Sequence, residues 1–329
     1  MQCKALKIGL LWLGCLVTTL AYPNPSIGDL ESKLARAETK KDSVNTLTDL
    51  VKLLYRQNPV KARKYAQLAY DLSEEIDDAP AKGKAMLSMG WGEMIAGEIE
   101  SSLAFSQDAA KFAQANGIDS ILADAYHNTA LASHMSGDYG TALINYHSAL
   151  SLNQKLGRKE RQTAQLNNIA IVRRDLKDYE IALEYLEKLD QLATEIGDET
   201  YIQFSKINKA YVYIDQKKFE QALPIAKPVL DFCTENKDSL GISIGSNILA
   251  QVYLGLNQYD NALIYANNAV EVGRKIGYKD GVIHGLYTCG EISYQQQNYD
   301  VAISKAQEAL GMVDSEKTDR YMDGILNTL

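Results

Sequence analysis

The chain has 329 residues, of which 46% are hydrophobic and 23% charged, with six prolines. This is the composition of a folded protein, not of a disordered or low-complexity one. Its formal charge of −8 and the lack of a basic stripe argue against nucleic acid and anionic membrane as partners.

The chain opens with "MQCKALKIGLLWLGCLVTTLA", in which Lys4 and Lys7 precede an apolar run from Ile8 to Leu20. Small residues follow, and the pattern predicts a secretory signal over residues 1–21, with Thr19 and Ala21 at the cleavage positions. The run is too short for a comfortable membrane span of ~20 residues. An uncleaved N-terminal anchor is the alternative, and Trp12 speaks against lipid attachment at Cys15. Cleavage would remove two lysines and no acid, taking the charge from −8 to −10. It would also remove Cys3 and Cys15, and the remaining Cys233 and Cys289 make no disulfide framework. Both are expected to be buried thiols. The destination is export to the periplasm.

Residues 22–41 read as an N-terminal extension containing a capping helix, "SIGDLESKLARAE". From residue 42 the sequence repeats. "GDYGTALINYHSAL" at 137–150 returns as "KDYEIALEYLEKLD", "KKFEQALPIAKPVL", "NQYDNALIYANNAV" and "QNYDVAISKAQEAL". Tyr139, Tyr179, Phe219, Tyr259 and Tyr299 are spaced by forty residues. A small residue follows each by three: Ala142, Ala182, Ala222, Ala262 and Ala302, with Ser102 and Ala62 continuing the series backwards. A second small series, Gly90, Ala130, Ala170, Ala210, Ala250 and Gly290, precedes each turn. A period of this size means stacked supersecondary units. Small residues let two helices approach closely, and the apolar spacing between them is helical. Each period therefore holds helix A, roughly 80–96 in the second repeat, and helix B, roughly 99–116. Gly117, Gly157, Gly197 and Gly277 are expected to end B helices. Pro224 and Pro228 fall inside one B helix, where a bend is expected at Pro228.

The pattern of small and aromatic residues resembles the tetratricopeptide repeat in its forty-residue form. The resemblance implies an all-α solenoid, a right-handed superhelix of antiparallel helix pairs, with seven full repeats and a partial eighth over residues 42–329. "RYMDGILNTL" at 320–329 falls in register with a first helix. Residues after about Asp319 are expected to be loosely held, and the reading frame to continue past 329.

No catalytic motif is present. There is no phosphate-binding loop, H-E-x-x-H, G-x-S-x-G or C-x-x-C. His127 and His134 are seven apart, not the four a helical metal pair needs. Met86, Met89 and Met94 around Trp91 read as core. Neither enzyme activity, nor a cofactor, nor a metal is expected.

In this family the A helices line the concave face. The register places Trp91, His127, Leu131, His134, Asn167, Ile171, Arg174, Tyr211, Asn247, Gln251 and Tyr287 inward. Asn128, Asn168 and Asn208 hold one position in three consecutive repeats. They are similar to the asparagines of kinesin light chains and bacterial peptide-pheromone receptors, which hydrogen-bond the backbone of an extended peptide; bonding within the repeat is the alternative. The expected function is a non-catalytic periplasmic scaffold holding a peptide or protein segment in this groove. The alternative is the input region of a membrane-bound diguanylate cyclase or sensor kinase, tethered through the N-terminus or through a region beyond residue 329.

Overall fold

The computed structural model describes residues 26–312, and every regular element among them is an α-helix. The segments expected to be a signal, 1–21, and the start of an eighth repeat, 320–329, lie outside the described residues. The helices are α1 (Ile27–Ala35), α2 (Lys40–Gln57), α3 (Pro59–Ser73), α4 (Ala79–Ala96), α5 (Ile99–Ala115), α6 (Asp119–Met135), α7 (Tyr139–Lys155) and α8 (Lys159–Asp175). They continue as α9 (Tyr179–Ile196), α10 (Glu199–Asp215), α11 (Phe219–Glu235), α12 (Ser239–Gly255), α13 (Tyr259–Ile276), α14 (Lys279–Gln295) and α15 (Tyr299–Gly311). The forty-residue period thus yields consecutive helix pairs, with A helices even-numbered from α2 and B helices odd-numbered from α3.

The contacts form two compact units that divide within α8, at residues 172 and 173. In the N-terminal unit each helix from α1 to α7 packs on the next, and A helices also pack on A helices, α2 on α4 and α4 on α6. The C-terminal unit repeats this, with α10 on α12 and α12 on α14. Both small-residue series sit in these contacts. Ala62, Ala142, Ala182, Ala222, Ala262 and Ala302 are all buried, as are Ala130, Ala170, Ala210 and Ala250. At Gly90 a Cβ would come within 2.9 Å of Ser106 Oγ, so α4 and α5 touch where nothing larger fits.

The helix ends follow local chemistry. Ser26 and Asp29 close α1 with a reciprocal capping box, and Leu30 packs it onto Leu50, Leu54 and Ala62. Pro59, which stands in the place of the aromatic in the first repeat, is the first residue of α3, where its missing N–H costs nothing. From α4 onward the corners between helices are left-handed. Gly117, Gly157, Gly197 and Gly277 adopt φ between 65° and 70°, as expected. Lys177, Lys217, Lys237, Asn257 and Gln297 hold φ between 56° and 65° without being glycine. Beyond such corners an N–H reaches back five residues, Asp178 to Arg173 O and Lys218 to Tyr213 O, both at 2.8 Å. These bonds cap the last turn.

Helix α11 runs unbroken through Pro224 and Pro228. Both prolines are exposed, so the carbonyls they leave without intrahelical partners lie on the solvent side, where water can serve them.

Candidate functional site

In the N-terminal unit α2, α4 and α6 lie side by side, and the polar and aromatic residues left open along them make one surface. Lys84 and Trp91 stand two turns apart on α4, and Asp124 and Asn128 one turn apart on α6. Contacts tie the three helices across it. Lys84 Nζ lies 3.4 Å from Asn45 Oδ1 on α2. The Trp91 ring meets Tyr55 of α2 edge-on, with centroids 5.6 Å apart, and both residues remain half-buried. Asn128 Nδ2 sits 3.5 Å from the Leu87 carbonyl of α4, one turn before Trp91. That distance is the outer limit of a hydrogen bond. The amide of Asn128 is therefore largely uncommitted, and the residue stays half-exposed.

The charge on this surface is arranged by the next repeat. Arg158 donates to both carboxylate oxygens of Asp124, at 3.1 and 3.2 Å, and to the Ser120 carbonyl at 3.1 Å. Arg161 Nε approaches the same carboxylate at 3.9 Å, so two guanidinium groups face one acid.

His127 lies behind this surface. Its Nδ1 is 3.2 Å from Gln165 Nε2, and Gln165 Oε1 accepts from Asn153 Nδ2 at 3.4 Å. Tyr146 meets the imidazole edge-on at 5.7 Å. Burial, helped by the charge of Arg161, pushes the His127 pKa down to about 4, so the ring is neutral at pH 7. Among the described residues no group of three His, Cys, Asp or Glu side chains could hold a metal ion.

Ten of the fourteen residues expected on an open groove are instead buried in the helix packing. They are His127, Leu131, His134, Asn167, Asn168, Ile171, Arg174, Asn208, Tyr211 and Asn247. Their side chains lie inside the helix packing, not on an open face. Asn167 Nδ2 donates to Asn168 Oδ1 at 3.3 Å with neither side chain exposed. In the C-terminal unit Asn247 Nδ2 donates to the Gly281 carbonyl at 3.0 Å, joining α12 to α14. Arg174 Nε stands 3.4 Å from Asp215 Oδ2, and its Nη2 3.6 Å from Asp175 Oδ1. The Arg174 guanidinium lies over the Tyr211 ring at 5.4 Å, and burial pushes the Tyr211 hydroxyl up to about 12. Trp91, Asn128, Gln251 and Tyr287 are the four left half-exposed.

Tyr55, Gln165, Asn153 and Arg158 complete these arrangements and were not singled out from the sequence. Tyr55 had a signal, since it lies forty residues before Ile95 in the same helical position. A polar depression of about 520 Å³ on α1 and α2, lined by Asp29, Arg36 and Asp42 among others, involves none of these residues.

Helix pairs of forty residues, closed by paired small residues and an aromatic at the turn, define a tetratricopeptide-like repeat fold. No protein-family model matches the chain, and no curated protein matches it in sequence. Solved structures are similar in fold. A Rap protein complexed with Competence and Sporulation Factor superposes with a TM-score of 0.69 at 13% identity, covering 92% of this chain and 81% of that one. NprR in complex with its cognate peptide NprX gives 0.63 at 12% identity, covering 86% and 82%. Aspartyl phosphate phosphatase F from Bacillus subtilis gives 0.65 at 11% identity, covering 88% and 76%. At such identities the likeness speaks for the fold alone.

Proposed function

We propose that this protein is a non-catalytic, exported scaffold that holds an extended peptide or protein segment on the A-helix face of its N-terminal unit. The observation that carries this is the pairing of half-exposed Trp91 with the loosely held amide of Asn128 on the adjacent helix. An amide offers donor and acceptor together and so can pair with a peptide bond whatever its side chain. An aromatic face beside it covers an apolar side chain at small entropic cost. The similarity to NprR, whose structure holds its cognate peptide, supports the same use of the fold.

The candidate nucleophiles speak for a non-catalytic role. Burial pushes the Cys233 thiol up to about 12 and the Cys289 thiol up to about 11, far from the reactive thiolate. His127 is buried and neutral, with its Nδ1 engaged. Export to the periplasm rests on residues 1–21, and mature protein from the native host should begin at Tyr22.

The chain has two tryptophans, and Trp12 departs with the signal, so Trp91 alone reports on the face. Titrating the mature protein with a random nonapeptide library should shift its tryptophan emission. Asn128→Ala should weaken binding about tenfold, the worth of one or two peptide hydrogen bonds. Retention of the library on immobilised protein that is indifferent to both Trp91→Ala and Asn128→Ala would reject this face as the seat.

A further inference from the structure

On α14 Tyr287, Glu291 and Tyr294 follow one another at spacings of four and three, which places them on one side of the helix. Tyr294 is 51% exposed, and Tyr299 meets its ring edge-on at 5.6 Å, which limits where it can turn. Between the two tyrosines the Glu291 carboxylate is only partly open to solvent and accepts a hydrogen bond from the Tyr287 hydroxyl. Burial raises its pKa, the mark of a carboxylate held short of water. Earlier repeats place uncharged residues in this register: Leu131, Ile171, Tyr211 and Gln251.

Two other shielded carboxylates here have a cation. Glu93 is matched by Arg63 at 2.9 Å and Asp124 by Arg158 at 3.1 Å. Among the described residues none of the ion pairs involves Glu291. Residues 173–312 around it carry 14 basic and 20 acidic side chains, so the local field favours a positive group.

We propose that Glu291, bracketed by Tyr287 and Tyr294, is a peptide contact separate from the N-terminal face and binds a lysine or arginine side chain. The carboxylate supplies a charge-assisted hydrogen bond, and the ring faces supply cation–π attraction. This rests on the reading of the protein as a peptide-binding scaffold, although the residues differ from those of the N-terminal face.

The test uses the full chain and three nonapeptide libraries, random at eight positions and fixed at the fifth as lysine, norleucine or glutamate. Retention of the lysine library on immobilised protein should exceed that of the norleucine library about tenfold. On Glu291→Gln that ratio should fall to about one, and Glu291→Lys should favour the glutamate library instead. Melting of Glu291→Gln should not fall, since the change removes a poorly solvated charge. A wild-type protein with no lysine preference overturns the proposal. So does a preference that survives Glu291→Gln, as it would if a cation of the chain itself already filled the site. If all three libraries bind equally and Trp91→Ala abolishes binding, this proposal falls and the N-terminal face stands. If none is retained, both fall.

Discussion

Asn128 and Asn247 each reach from one A helix to a backbone carbonyl of another, yet they end in different states. Asn247 is 4% exposed and bonds Gly281 at 3.0 Å, so its amide nitrogen is spent on joining α12 to α14. Asn128 is half-exposed and stands 3.5 Å from Leu87, so its amide is mostly free. The same side chain serves the fold in one unit and remains available to a ligand in the other. Distance and burial separate the two roles, where residue type does not.

The largest effect that would sharpen this contrast comes from His127, the committed neighbour of Asn128. Its pKa falls from 6.5 to about 4 on folding, so the fold favours the neutral ring. The resulting stability is fully present above pH 6.5, is lost as the pH falls towards 4, and changes little below that. The loss should be about 3 kcal/mol by proton linkage. Denaturant midpoints measured across this range should show it, and His127→Gln should flatten the profile. A wild-type profile already flat between pH 6.5 and 4 would mean that the ring is not held neutral.

Asn247→Ala comes next. It removes a buried hydrogen bond and should cost about 1–2 kcal/mol in urea unfolding. Asn128→Ala should cost least, within about 0.5 kcal/mol, because a half-exposed amide at that distance contributes little. The contrast breaks if the two variants melt alike.

The fold was legible because its signals are local and repeated. The alanine series, the turn aromatics and the corner glycines each act within one helix pair, and forty-residue spacing multiplies them. The site was less so. Register shows which residues face the neighbouring A helix, but not whether that helix leaves room above them. Asn128 and Asn168 occupy the same position, and only the first stays open. The side chains that decide this, such as Gln165 against His127, belong to another repeat some forty residues away. Pro228 teaches the converse. The sequence marks a place where α11 is expected to bend, and the helix runs on through it at a solvent-facing position.

The corners carry a consequence for behaviour on heating. Among the described residues the four left-handed corners of the N-terminal unit are all glycine, whereas five of the seven in the C-terminal unit are Lys, Asn or Gln. A side chain in that conformation costs roughly 1–2 kcal/mol at each corner. Repeat arrays can open piecewise, since each unit leans only on its neighbours. Residues 173–312 should therefore exchange their amide hydrogens at lower temperature than residues 26–172. The chain would loosen from one side before it melts.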